Sequence, residues 1–389
     1  MNVAARLREE FSFVRGNYLV LVVSWILMDF ANEMPALYYG PFVMYDLGAS
    51  PAVLGSIGFV SVMALAVVQF PGGYLADRYG RRWLISTLTF GVAFSFLFHT
   101  FAQSWEWILV GSMIGAVCLL YQPALMAMIS DSTPPEKRGM AFSLTTLIAN
   151  VATTPAPIVV GIIVTVFTRA IGMRIAYAIV VSLYMCAAIL RSKLKETIKT
   201  EEKIRPRDLF ASYPRAIRES IAVWKTLPRS VLFLSVANLI VTFAVSLGQV
   251  FFSVYAVEGE KSVLNLSEIE WALVSTALFI SMIVAAIPSG KLIDKVGRKA
   301  PLLLSHLVFV PGILLFVYGD STRLFIAMPL IGLGQLLFFS SFASLQTDLV
   351  PRENRAKVIG FSQFFGYVLM AFGMLTGGII YSIAPQLPF

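Results

Sequence analysis

Apolar residues run along this chain in long blocks, which short polar segments interrupt at near-regular intervals. A helix crossing a hydrocarbon layer of about 30 Å needs roughly 20 residues at about 1.5 Å each. Blocks of that length predict spans near 17–43, 52–76, 83–103, 105–130, 139–168, 172–191, 231–257, 268–290, 300–319, 323–347 and 356–383. Within a bilayer a helix satisfies all its backbone donors internally, so the pattern predicts an all-α membrane protein with about eleven transmembrane helices. The first block follows a short charged segment, Arg6 to Arg15. It is too long for a signal peptide and no small-residue cleavage site follows it, so it is read as retained.

Composition supports the same class. Of 389 residues, 58% are hydrophobic and only 13% are charged, against about 25% charged in soluble domains. A water-facing surface would lack the polar side chains to cover it. Cys118 and Cys186 lie in apolar stretches, with only His99 and His306 beside them. No disulfide framework, metal site or cofactor is expected from that set, and both histidines are read as packing residues.

The net charge of +8 acquires meaning only from its placement. With the N-terminus inside, all but four of the 30 Lys and Arg fall on the inner segments; the four are Arg169, Arg174, Lys261 and Arg323. Arg191, at the end of the sixth block, counts among the inner charges. Positive residues are retained on the cytoplasmic side, which predicts a cytoplasmic N-terminus in the cell membrane. The basic partners are then lipid headgroups, not nucleic acid.

Two loops repeat at one constant spacing. Gly73, Asp77, Gly80 and Arg81 recur in the second half as Gly290, Asp294, Gly297 and Arg298. Asp131, Pro134, Glu136 and Arg138 recur, at the identical spacing, as Asp348, Pro351, Glu353 and Arg355. The halves are therefore structural copies in the same orientation, six spans apart.

The run Gly73 to Arg82 resembles the signature loop of the major facilitator superfamily, and 290–299 resembles its second-half copy. The resemblance implies two pseudo-symmetric six-helix bundles that rock against each other to open a central cavity to either side. It divides the chain into an N-terminal bundle over 1–192, a basic cytoplasmic linker over 193–229 and a C-terminal bundle over 230–389. Within the linker, Phe210, Tyr213, Ile217, Ile221 and Trp224 recur at helical spacing beside Arg215, Arg218 and Lys225. That suits a helix lying on the inner membrane face. The sixth span, shifted by the repeat spacing, begins near 389. The twelfth helix is therefore expected to be missing, either by truncation or because the protein works with eleven spans.

In the signature loops Gly73 and Gly290 suit close helix approach, and Gly80 and Gly297 suit a turn with positive φ. Asp77 is placed to pair locally with Arg81. The resemblance carries a cytoplasmic latch to Asp77 and Arg81, and the repeat extends it to Asp294 and Arg298. Asp131 with Arg138, and Asp348 with Arg355, complete the charge network on that face.

Inside the spans acids are scarce. Of 22, only Asp29 and Glu33 fall mid-span, at i and i+4 on one face of the first helix. Asp29 lies about 18 Å along that helix from Asn17. A carboxylate there costs roughly 2.5–3.5 kcal/mol on insertion scales, so such residues line polar pathways. Two acids this close do not both stay ionised, which makes them candidates for proton coupling or cation recognition. The pathway-lining spans implied by the resemblance carry Asn32, Tyr121, Gln122, Asn238, Gln249 and Gln335 as candidate substrate contacts, and no Lys or Arg sits mid-span.

Together these features predict a monomeric secondary transporter of a small solute, with protons as the coupling ion and efflux of a cationic, neutral or lipophilic compound. The alternatives are facilitated uptake of a neutral metabolite and a non-transporting receptor of the same fold. The resemblance is to drug/proton antiporters, with departures: the arginine their fourth span carries is absent from the Gly111–Gly115 frame, and their fifth-span motif survives only as Pro157 and Gly161. No catalytic constellation or nucleotide-binding motif is present in the sequence, so an enzyme and an ATP-driven pump are not expected.

Overall fold

A computed structural model describes the chain apart from residues 1–10, 12, 135–136, 199–226 and 351–354, and apart from some helical side chains, including 69–74, 76–79, 138, 149–150 and 355–357. The described residues are helical, with one isolated bridge between Val257 and Leu266. The helices are α1 (Gly16–Ala36), α2 (Pro51–Tyr79), α3 (Arg81–Thr100), α4 (Trp105–Cys118), α5 (Gln122–Asp131), α6 (Arg138–Thr153), α7 (Ala156–Phe167) and α8 (Arg169–Arg191). After the linker come α9 (Arg229–Gln249), α10 (Phe252–Ala256), α11 (Glu268–Val296), α12 (Lys299–Tyr318), α13 (Ser321–Leu349) and α14 (Arg355–Ile383). Ten segments are long and apolar enough to cross a membrane.

Three expected spans differ in detail, each for a local reason. The first ends at Ala36, one residue past Pro35, and not near 43; a short Tyr39–Pro41 turn and a π-turn over Phe42–Asp46 follow. The fourth is interrupted by a 3₁₀ turn over Leu119–Tyr121, because Pro123 has no N–H to continue the ladder. The fifth is two helices, α6 and α7, separated at Thr154 and Pro155. Pro155 removes a backbone donor there.

Side-chain exposure matches a lipid solvent. Ile287 and Leu307 are each 72% exposed and Phe233 is 74% exposed, on α11, α12 and α9. Such side chains are stable on a surface that meets hydrocarbon and not water.

The chain divides into two compact units. The first comprises 1–36, 64–156 and 174–216. In it α3 packs on α4 and α1 packs on α6. Tyr18 on α1 donates to the Ala141 carbonyl at 2.8 Å. Its core includes Leu21, Met28, Ala31, Val92, Tyr121, Val180, Tyr184 and Ala187.

The second unit comprises 37–63, 157–173 and 217–389. Here α12 packs on α13, α11 on α13 and α9 on α14. α11 begins with a capping box: Ser267 N–H donates to the Glu270 carboxylate at 2.8 Å, and Ser267 Oγ accepts from Glu270 N–H at 3.4 Å. α2 and α14 approach closely in this unit. A Cβ added at Gly55 would lie 2.5 Å from the Met374 carbonyl and 2.9 Å from Gly378 Cα. Gly290, in contrast, is exposed and an added Cβ meets nothing within 4 Å, so the close approach expected there is not made. Gly55→Leu is therefore expected to destabilise the protein by about 1–3 kcal/mol, while Gly290→Ala is neutral. Thermal melting in detergent checks this, and equal melting temperatures for the two variants would overturn it.

Candidate functional site

The polar centre of the first unit is built on α1 and α8. Asp29 and Glu33 are half-buried on α1, and the Trp25 indole, one turn before, donates to Asp29. Tyr184 on α8 donates to Asn32 Oδ1 at 2.7 Å. Two turns further along α8, on the same face, stands Arg191, only 1% exposed. Its Nε donates to Ser24 Oγ and its Nη1 to Thr89 Oγ1, both at 2.9 Å, and its guanidinium lies 5.2 Å from the centre of the Tyr121 ring.

Arg191 corrects the charge reading. A cation closing an apolar block looks like a topology signal, yet here it is packed inside the bundle among neutral partners. Tyr121 joins this centre as a ring under the guanidinium, and Gln122 beside it is half-buried.

The other candidate contacts fall in the second unit. Asn238, Gln249 and Gln335 line one cavity of about 610 Å³, walled largely by apolar and aromatic side chains such as Phe252, Trp271, Phe309 and Phe338. That volume and lining suit a lipophilic body with one or two polar groups. Its wall also holds Val241, His306 and Phe338, which are the repeat equivalents of Ser24, Thr89 and Tyr121. The cavity thus occupies the place in the second half that α8 fills in the first.

At the signature loops the repeat is visible in ion pairs. Arg81 Nη1 pairs with Asp131 Oδ2. Arg298 Nε pairs with Asp348 Oδ2 at 2.9 Å, between the two equivalent positions of the second half. The acids of one loop thus meet the arginines of the other. Gly80 and Gly297 have φ of 100° and 83°, the left-handed backbone that favours glycine. Asp294 is exposed. The side chains of Gly73, Asp77, Arg138 and Arg355, and the linker helix around Phe210 to Lys225, lie outside the described residues.

Glu196 was not singled out by sequence. Its carboxylate accepts from the backbone N–H groups of Arg81 at 3.2 Å and Arg82 at 3.0 Å, which caps the start of α3. Asn17 exchanges two hydrogen bonds with the Lys195 backbone, at 2.7 and 2.8 Å. These contacts fasten the start of the linker to α1 and to the first signature loop.

A second charge cluster, also unforeseen, lies in the second unit at the helix ends opposite the signature loops. Arg169 donates from Nε to Asp46 Oδ2 at 2.8 Å, and from Nη1 to Glu268 Oε1 at 3.0 Å and to the Glu258 carbonyl at 3.2 Å. Its guanidinium lies 5.2 Å from the centre of the Tyr45 ring. Burial pushes the Tyr45 phenol up to about 12, so it stays a neutral face for the cation. Tyr38 donates to the Glu268 carbonyl at 2.6 Å, and the Trp271 indole donates to the Leu37 carbonyl at 3.1 Å. The signal available in sequence was an arginine outside the basic segments. It could not show that Asp46 and Glu268, from distant parts of the chain, converge on it.

With this geometry in place, comparison with known proteins identifies the family. The model of the Major Facilitator Superfamily matches residues 21–267 and 239–389. The chain belongs to the major facilitator superfamily. Superfamily members are transporters of solutes, not enzymes, and this chain is an integral membrane transporter. An uncharacterized MFS-type transporter, YqjV of Bacillus subtilis (strain 168), is 24% identical over 139 residues, which cover 36% of this chain and 34% of that protein. A Na(+), Li(+), K(+)/H(+) antiporter of Planococcus maritimus is 28% identical over 192 residues, covering 48% of this chain and 42% of that protein. The chain thus matches less than half the length of these curated relatives. The crystal structure of the nucleoside transporter NupG superposes with a TM-score of 0.69 at 15% identity, covering 94% of this chain and 91% of that one. That likeness establishes the fold.

Proposed function

We propose that this superfamily member is a proton-coupled secondary transporter that exports a cationic, neutral or lipophilic solute by alternating access. The observation that carries the reading is the pair Asp29 and Glu33 on α1, half-buried one turn apart beside Trp25, Asn32 and Tyr184. Acids held in a bundle have a binding task or a proton to carry. The partial likeness to an antiporter that exchanges protons for monovalent cations supports the same reading.

In this mechanism one of the two carboxyls takes up a proton from the side of high proton concentration and releases it after the bundle reorients. Solute moves in the opposite sense. Asn32 and Tyr121 contribute polar contacts in the first half, and Asn238, Gln249 and Gln335 do so in the second. The pairs Arg81–Asp131 and Arg298–Asp348, with Asp77 and Asp294, act as the latch on the signature-loop side, which the charge distribution assigns to the cytoplasm. The working unit is a monomer in the cell membrane.

The test is flux of a lipophilic cation in proteoliposomes with and without an imposed pH gradient. Uptake that follows the gradient supports the reading. Flux that ignores it overturns proton coupling, and flux of a neutral metabolite down its own gradient favours facilitated uptake.

A further inference from the structure

The buried cation in the first unit has no part in the transport scheme so far, and its surroundings are unusual. Among the described residues its side chain contacts two hydroxyls and one aromatic ring, and no carboxylate. Burying a guanidinium at 1% exposure without a direct anionic partner is costly, so a compensating charge nearby is expected. The acid within electrostatic reach is Asp29. Both groups also interact with Tyr184, which lies between Asn32 and Arg191 along the interface of α1 and α8.

The internal repeat supplies an independent comparison. If the hydroxyl cradle served only to build the bundle, the second half would need it as well. The repeat equivalents of Ser24, Thr89, Tyr121, Asp29 and Glu33 are Val241, His306, Phe338, Ser246 and Val250. Neither the hydroxyls, nor the phenol, nor the acids recur. The cradle and the acids are thus features of one half alone, and they occur together.

We propose that Arg191 is the internal counter-charge of Asp29: a positioning residue, held by Ser24, Thr89 and Tyr121, that sets the pH at which Asp29 exchanges its proton. The guanidinium stays charged at every accessible pH. Its field favours the ionised carboxylate, so that Asp29 gives up its proton more readily than burial alone allows. Glu33, one turn along the same helix, opposes it as a like charge. Tyr184 and Tyr121 face the pair as neutral phenols. This rests on the reading of Asp29 as a proton carrier given above.

Infrared difference spectroscopy of the purified protein in lipid, titrated with pH, tests the two ideas separately and needs no substrate. Wild type is expected to show a protonated-carboxyl band that Asp29→Asn removes. In Arg191→Gln its midpoint moves to higher pH by about 1 unit or more, and Arg191→Lys returns it to near the wild-type value. A band present in wild type with an unmoved midpoint in folded Arg191→Gln overturns the role of Arg191 and leaves Asp29 as carrier. Absence of any band sensitive to Asp29→Asn overturns both. Should Arg191→Gln fail to fold, Ser24→Ala loosens the cradle with the charge retained; a moved midpoint supports the proposal and an unmoved one overturns it.

Discussion

Asp29→Asn is expected to move solute, if at all, without response to a pH gradient. Gradient-driven flux falls by about 100-fold, the scale on which a positioned proton-transfer group contributes. The amide preserves the shape of the carboxyl and its contact with Trp25, but it carries no exchangeable charge. Folding should be intact, because the Tyr184–Asn32 and Arg191–Ser24 bonds that join α1 to α8 do not involve position 29. Glu33→Gln separates the two acids: a smaller loss there assigns the transported proton to Asp29, and an equal loss assigns it to the pair. Flux in Asp29→Asn that still follows the gradient at the wild-type rate sinks the coupling mechanism.

The second large effect is expected at Arg169. Its side chain and those of Asp46 and Glu268 are only 16%, 17% and 21% exposed, so the cluster is not an ordinary surface ion pair. Arg169→Gln leaves two partly buried carboxylates facing each other without a cation. Removing one partner of such a group costs about 3 kcal/mol, and the melting temperature should fall by several degrees. Because Asp46, Glu258 and Glu268 come from separate segments, hydrogen exchange should accelerate over 39–46 and 256–268 together. Arg169→Lys rescues part of the loss, since an ammonium cannot reproduce the forked donation to both acids. Unchanged melting and unchanged exchange in both segments exclude a role for the cluster in closing this end of the unit. An accelerated exchange joined to faster solute leak identifies it as a gate.

The architecture was legible because its signals are local or periodic along the chain. Hydrophobic block length is a property of neighbouring residues, and a bilayer of fixed thickness turns it directly into helices. The constant spacing of the two repeated loops was equally direct, and it reappears as the matched pairs Arg81–Asp131 and Arg298–Asp348. The positive φ of Gly80 and Gly297 followed from turn chemistry. The mid-span acids stood out because a charge in an apolar run is rare. Even the breaks at Pro35, Pro123 and Pro155 have a cause readable in one residue, although apolar patterning alone ran the helices through them.

What the sequence by itself could not determine is which distant residues share a neighbourhood. Arg191 has the same neighbours in sequence as any topology-setting cation; only the packing of α8 against α1 and α3 places it between Ser24 and Thr89. Arg169 sits in an outlying position along the chain, and its three acceptors come from segments far away in sequence. Gly55 and Gly378 make their close approach in helices that meet only in the folded protein, whereas Gly290 of the repeat motif faces open space. Hydropathy and repeats are one-dimensional and set the number, length and order of the helices. Counter-charges, locks and close contacts depend on helix rotation and crossing, which side-chain packing settles in three dimensions.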